Sequence, residues 1–317
     1  MATLSTTEIL SDTLDAFKLQ FPMITNFTTD FSSQAATKGD TIKAHIATLP
    51  AASTYDATTG YANGATAAES LLEDVDVTLD QHAHVPIKLD YLSMISNQKA
   101  IYQQEVDNKA YVLGKQMVDF ALGKVLAANF TNAVNAGATA AASDRDTLLA
   151  IRKEMNLNGA SPKGRFGIVN GDVYEALDGD PRIASADYHG QQLEGNSLGE
   201  LTNVAGFEKI YEYPTLSANA ELLQGIFLDP TGIVIGSRLP NHNQDYASAL
   251  GIPRAGKFDV VQDPDSGLAM LGISWEQPGT FDQFLTVTLI YGAAAGAQGG
   301  SAGDITDNAG VRLTATA

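Results

Sequence analysis

The chain has 317 residues, 44% of them hydrophobic, with 19 lysines and arginines against 37 aspartates and glutamates, a net charge of −18, no cysteine and a mean hydropathy of −0.06. That length suits one large domain or two ordinary ones, and no apolar run reaches the length of a membrane-spanning helix. The acidic balance argues against a module that holds nucleic acid through clustered cations; the missing cysteines exclude disulfides, thiolate metal sites and a cysteine nucleophile and fit a reducing compartment.

In chain order, residues 1–34 read as a polar, threonine-rich N-terminal arm with acidic residues and no basic stretch before an apolar core, so not as a signal peptide. Leu10, Leu14 and Phe17 at helical spacing predict a short amphipathic helix over 5–18. It ends near Phe21-Pro22, because a residue before proline is pushed out of the helical region. Phe21, Phe27, Phe31 and the pair Met23-Ile24 find no partner within the arm, which predicts an extended segment that docks elsewhere. Gly39-Asp40 then opens a strand over 41–48, with Ile42, Ala44 and Ile46 on one face. From 75 to 91 the odd positions Val75, Val77, Leu79, Ala83, Val85, Ile87, Leu89 and Tyr91 are apolar, with Gln81 the one intruder, and the even positions are mostly polar. This period of two predicts one long strand, reaching about 55 Å at roughly 3.3 Å per residue. Residues 50–72, rich in Ala, Thr, Gly and Tyr, would be the flexible tip of a long two-stranded hairpin.

A long helix is predicted over 97–135, with only Gly114 and Gly123 interrupting it and Val106, Ala110, Leu113, Met117, Phe120 or Ala121, Val125 and Ala128 along one stripe. It would span about 58 Å and stop near Gly137. Ser143-Asp144-Arg145-Asp146 opens a new helix, which runs over 147–157 to Asn158-Gly159. Mixed α/β pattern follows: a strand over 165–169, a short helix over 172–177, a loop over 182–200, and strands over 209–213, 225–228 and 233–235. Strands over 257–262 and 268–275 flank the turn Asp263-Pro264-Asp265-Ser266-Gly267. Residues 281–291 alternate Leu285, Val287 and Leu289 against Thr286 and Thr288, and the Gly/Ala-rich tail from Gly292 reads as mobile up to residues 311–313. A compact domain of this length measures roughly 50 Å across, so a hairpin and a rod of such reach predict a subunit that needs neighbours.

The motifs that carry chemistry are weak. Gly299-Gly300-Ser301-Ala302-Gly303 matches G-x-S-x-G, but that elbow needs a strand before it, a helix after it and a histidine downstream; no histidine follows His242. His82 and His84 share a strand face with Asp80 beside them, a spacing that metal ligands can use and that solvated or interface residues explain more simply. Asp263, Asp265 and Gly267 lack the glycine position and closing glutamate of a calcium loop. Asn26-Phe27-Thr28 and Asn129-Phe130-Thr131 match the glycosylation sequon without a route to secretion. No phosphate loop, zinc-protease or dinucleotide motif is present, and no two carboxylates pair in a catalytic setting. No catalytic, cofactor-binding or metal-ligating residue is assigned, and the expectation is a protein that is not an enzyme.

The order of parts resembles the major capsid proteins of tailed double-stranded DNA phages, the Hong Kong 97-like capsid fold. Val169-Asn170-Gly171-Asp172-Val173-Tyr174-Glu175-Ala176-Leu177, Val204-Ala205-Gly206-Phe207 and Leu289-Ile290-Tyr291-Gly292-Ala293 are phrases similar to that family's. The resemblance implies an α+β fold with an N-arm (1–34), an extended β-hairpin loop with a peripheral-domain strand (35–96), a spine helix of the peripheral domain (97–142), an axial domain (143–255), closing peripheral-domain strands (256–291) and a C-terminal tail (292–317). It also implies a virion protein, assembled in the host cytoplasm, whose pentamers and hexamers close into an icosahedral shell around packaged double-stranded DNA. That DNA would be enclosed without sequence-specific contacts and without a membrane.

The arm is too short to hold the scaffolding segment that some relatives carry, which implies a separate scaffolding protein; a portal, and room for a decoration protein, complete the implied partners. No lysine lies between Lys43 and Lys88, so the crosslinking lysine that other relatives carry in the extended loop has no counterpart. An encapsulin-like nanocompartment shell with enzyme cargo is the alternative on the same fold. A soluble hydrolase and a tail-tube protein fit less well, the first for want of a catalytic constellation and the second because it would lack the long helix.

Overall fold

A computed structural model describes residues 6–47, 58, 72–89, 98–136, 143–184, 200–216, 218–241, 257–276, 283–296 and 309–315. The class is α+β. The chain divides into two compact units, one of Met1–Ile42, Asp76–Leu122 and Val234–Ala294, the other of Lys43–Val75, Gly123–Ile233 and Ala295–Ala317.

The first unit is built on a six-stranded sheet. Its strands are β1 (Thr28–Ala36), β4 (Gln81–Leu89), β10 (Ile233–Pro240), β11 (Lys257–Gln262), β12 (Ala269–Glu276) and β13 (Gln283–Ala295), in the order β1-β10-β13-β12-β11 with β4 also paired along β13. Helix α1 (Thr6–Gln20) carries Leu10, Leu14 and Phe17 on its buried face, as its spacing predicts, and packs against α2 (Gln98–Leu122) and the β11–β12 hairpin. The packing is close: a Cβ at Gly272 of β12 would stand 2.6 Å from a Leu10 methyl carbon, and one at Gly114 of α2 would stand 2.3 Å from the Phe21 ring. The arm docks away from its own residues as expected, and only its expected extended conformation is corrected, at Pro22–Asn26. Phe21, Met23, Ile24 and Phe27 are buried, a 3-10 helix spans Pro22–Asn26, and β1 lies parallel to β10, Thr28 opposite Val234. Phe21 meets Phe17 inside the arm and also packs on Tyr111 and Gly114 of α2, about 90 positions away in the sequence.

The long strand expected over 75–91 is two strands, β3 (Leu72–Thr78) and β4. β3 pairs with β2 (Thr41–Ala47) in a separate two-stranded sheet, while β4 runs antiparallel to β13, from Gln283 opposite Leu89 to Tyr291 opposite Gln81. Between them Leu79 exchanges backbone hydrogen bonds with Gly39 and Asp40 (2.9 Å each). A Cβ on Gly292 of β13 would come 2.1 Å from the Thr78 carbonyl oxygen, so glycine there makes room for the crossing. The two-residue gap leaves Val75, Val77, Leu79, Ala83 and Val85 all buried, which is why alternation alone hid the break. The tip, residues 50–71 apart from Thr58, lies outside the described residues.

The long helix is shorter than its pattern. α2 ends at Leu122, giving about 37 Å at 1.5 Å per residue in place of about 58 Å. After it, in the second unit, side chains take the backbone groups that a continuing helix would use. Glu221 accepts the Ala127 N–H (2.9 and 3.0 Å), Asn219 Nδ2 donates to the Val125 carbonyl (3.2 Å) and Asn129 Nδ2 to that of Lys124 (2.7 Å). Neither strand nor helix is as long as expected, so their reach alone does not require neighbours.

The second unit has its own six-stranded sheet, ordered β5-β14-β9-β6-β8-β7: β5 (Ala133–Asn135), β6 (Phe166–Val169), β7 (Glu200–Val204), β8 (Phe207–Glu212), β9 (Leu223–Leu228) and β14 (Gly310–Thr314). Helices α3 (Arg145–Leu157), α4 (Gly171–Asp178) and α5 (Pro181–Ala184) complete it. Leu148, Ile151 and Met155 of α3, Val173 and Leu177 of α4, and Leu201, Phe207, Phe227, Val311 and Leu313 of the sheet form one buried cluster. β14, expected only as the end of a mobile tail, pairs antiparallel to β9 and parallel to β5. β13 likewise runs to Ala295, past the glycine where the tail was expected to begin.

Candidate functional site

In the second unit, charged side chains cluster at the starts of helices. Asp144 caps α3, accepting the Thr147 N–H at 3.0 Å while the Thr147 hydroxyl lies 3.4 Å from the Asp144 N–H, a reciprocal arrangement that satisfies two otherwise unpaired donors. Asn170 caps α4 in the same manner, accepting from the Val173 N–H at 3.0 Å. Arg182, at the start of α5, reaches Asp144 (2.9 Å), Asp146 (2.9 Å) and Asp180 (3.2 Å). Burial alone would raise the Asp144 and Asp180 carboxyls, but hydrogen bonds from backbone N–H groups and Arg182 hold both below their ordinary value. One cation thus ties together the starts of α3 and α5.

Arg312 of β14 performs a similar task at the other side of the sheet. Its Nε donates to the Phe130 carbonyl at 2.6 Å, and its guanidinium pairs with Glu221, the carboxylate that also holds Ala127. Sequence reading missed both arginines, because Arg312 lay in a stretch read as tail and Arg182 in one read as loop. Spacing gave no signal for Arg182, since Arg145, Arg152 and Arg165 lie as near in sequence to Asp144, Asp146 and Asp180. Buried Asp229 caps its own turn, accepting from the Thr231 N–H (2.9 Å) and hydroxyl (2.6 Å); burial pushes its carboxyl up, against those hydrogen bonds and the charge of Arg165.

In the first unit, Lys18 of α1 donates to Asp263 at 2.8 Å. Asp263 also accepts from the Ser266 N–H (2.9 Å) and hydroxyl (2.5 Å), and Gly267 follows at φ +77°, so the sequence Asp263–Gly267 forms the expected turn. Burial would raise the Asp263 carboxyl, but the bonds from Lys18 and Ser266 bring it down to about 2. His82 and His84 lie on the exposed face of β4, opposite Ile290 and Thr288. His82 Nε2 is 2.9 Å from the Thr288 hydroxyl, and burial, then His84 and Lys38, push its pKa down. Among the described residues no three His, Asp or Glu side chains gather as metal ligands, and no helix is long and apolar enough to cross a membrane. Gly299–Gly303 and His242 lie outside the described residues.

These clusters cap helices, close turns and pin segments, which is structural chemistry. No family model and no curated protein matches the chain. Solved structures do. A chain from the capsid structure of cyanophage P-SCSP1u aligns over 92% of this chain and 86% of its own at 12% identity, with a TM-score of 0.52. A chain from the capsid of Ralstonia phage GP4 aligns over 91% and 86% at 9% identity, with a TM-score of 0.51. This chain has the fold of those capsid chains. The capsid fold expected from the order of parts is thus present over nearly the whole sequence, at an identity too low for sequence comparison to find.

Proposed function

We propose that this chain is the major capsid protein of a tailed double-stranded DNA phage, a structural subunit with no catalytic task. The observation that carries this reading is the shared fold with two phage capsid chains over more than nine-tenths of this chain. In this role the protein assembles as pentamers and hexamers into an icosahedral head. Its partners are copies of itself, a separate scaffolding protein, a portal, a decoration protein and the packaged DNA, and it resides in the virion after assembly in the host cytoplasm. Its parts are the N-arm (1–34), extended loop (35–96), spine helix (97–142), axial domain (143–255), closing strands (256–291) and tail (292–317). The excess of carboxylates suits an inner wall that repels phosphate and lets the genome slide as it packs.

The test is expression of the full chain, alone and with the scaffolding protein encoded beside it, followed by sedimentation and negative-stain microscopy. Closed shells of uniform diameter are expected. A monomer that persists under every condition contradicts the reading.

A further inference from the structure

The outer face of α3 departs from what a solvated helix surface requires. Leu148, Ile151 and Met155 fill the buried stripe. At 100° per residue the opposite side holds Leu149, Arg152, Lys153, Asn156 and Leu157, which line a shallow open hollow of about 320 Å³. Leu157 is 69% exposed. One exposed leucine means little, but the two cations beside it are a second, independent feature. In a chain with 37 acids to 19 cations, an exposed basic residue on a helix has ample opportunity for an acid three or four positions away. Arg152 instead has Leu148, Leu149, Met155 and Asn156 at those positions, and Lys153 has Leu149, Ala150, Asn156 and Leu157. Neither forms an ion pair among the described residues. Arg152 is nevertheless positioned: its guanidinium donates to the Ala205 carbonyl at 3.4 Å, and its Nε lies 3.0 Å from where a Cβ on Gly206 would stand, so it rests on the β7–β8 turn.

We propose that this basic and apolar face of α3 docks against a carboxylate-bearing face of a second copy of the chain. The inference rests on the shell-subunit reading and deepens it by naming one contact surface. Charge complementarity selects the occupant, since a chain of net charge −18 offers acidic surface on every copy. In the same unit, for example, α4 exposes Asp172 and Glu175 one turn apart. A surface that meets a different surface on the next copy is heterologous, the kind of contact that closes into rings. Duplex DNA suits the face less well, because two leucines gain nothing from phosphate and the chain as a whole repels it.

The test uses assembled full-length protein. Equal parts of 15N-labelled and unlabelled chain are assembled into shells, treated with a water-soluble carbodiimide that joins amines to touching carboxylates, and read by mass spectrometry. Lys153 is expected to be joined to an aspartate- or glutamate-bearing peptide, with about half of the products pairing a labelled with an unlabelled partner, as random mixing of copies requires. Arg152→Glu/Lys153→Glu, and Leu157→Ser by itself, are expected to raise the protein concentration needed for assembly by about tenfold or more, with a melting temperature within about 3 °C of the parent. If the double variant fails to fold, Leu157→Ser and the crosslinks decide.

Lys153 links confined to single-isotope pairs, or absent while other lysines link across copies, overturn the inference. So do variants that assemble at the parent concentration, or that lose only a gel shift with short duplex DNA. In those cases shells still form and the shell reading survives. A parent chain that forms no shell under any condition overturns that reading, and this inference falls with it.

Discussion

In the first unit the N-terminal segment is held mainly by burial, with Leu10 against Gly272, Phe21 against Gly114 and Phe17 sealed beneath α1. In the second unit the connecting segments are held mainly by charge, through Arg182 between three aspartates and Arg312 between Glu221 and the Phe130 carbonyl. The difference follows from composition. The segment 14–31 supplies Leu14, Phe17, Phe21, Met23, Ile24, Phe27 and Phe31, an apolar surface to which the β1–β10 pairing and the Lys18–Asp263 and Asp30–Arg238 pairs add directional bonds. Residues 123–133 bury Val125 and Phe130 but leave backbone groups that Asn129, Asn219, Glu221 and Arg312 satisfy, and residues 180–182 are tied to the start of α3 through Arg182. Burial is not screened by salt, whereas the partly exposed pairs of the second unit are.

The largest expected effect breaks the apolar side of this comparison. Phe17→Ala should cost about 3–5 kcal/mol, read as a loss in denaturant midpoint that does not change between low and high salt. Arg312→Met tests the polar side. It leaves the Glu221 carboxylate and the Phe130 carbonyl without their shared donor and should cost about 2–3 kcal/mol, with faster hydrogen exchange over 124–135 as its local signature.

The smallest effect sharpens the contrast, because the Lys18–Asp263 pair is a charged contact in the apolar unit. The Asp263 carboxyl is held down at about 2, below the ordinary 3.8. A depressed carboxyl contributes stability that is present above its unfolded value and is lost as pH falls through the folded one. The window therefore lies between about pH 4 and pH 2, and the contribution is about 1–2 kcal/mol once the exposure of Lys18 is allowed for. Asp263→Asn should flatten the acid limb of the stability curve across that window. An unchanged limb would mean that ionisation of Asp263, with its bonds from Lys18 and Ser266, contributes nothing to holding the hairpin.

Local pattern made much of this fold legible. Helix α1, the helix after Asp144, the turn at Asp263–Gly267 and the alternation of β13 all follow from spacing within a single segment. What pattern missed was set at a distance. The break between β3 and β4 preserves parity and depends on Gly39, Asp40 and Gly292; α2 stops where Asn219 and Glu221 take over its successors' backbone; β1 finds its partner in β10, some 200 residues on. The α3 face was readable in part, since the absence of any acid three or four positions from Arg152 and Lys153 needs only the sequence. Its outward direction needed the packing of Leu148, Ile151 and Met155.

The central claim is that the chain is one subunit of a closed shell. Electron cryomicroscopy of particles made by the expressed full chain, alone and with a candidate scaffolding protein, tests it most directly. The account predicts an icosahedral reconstruction with five-fold and six-fold clusters of this fold; isolated monomers, or open tubes without five-fold vertices, would contradict it.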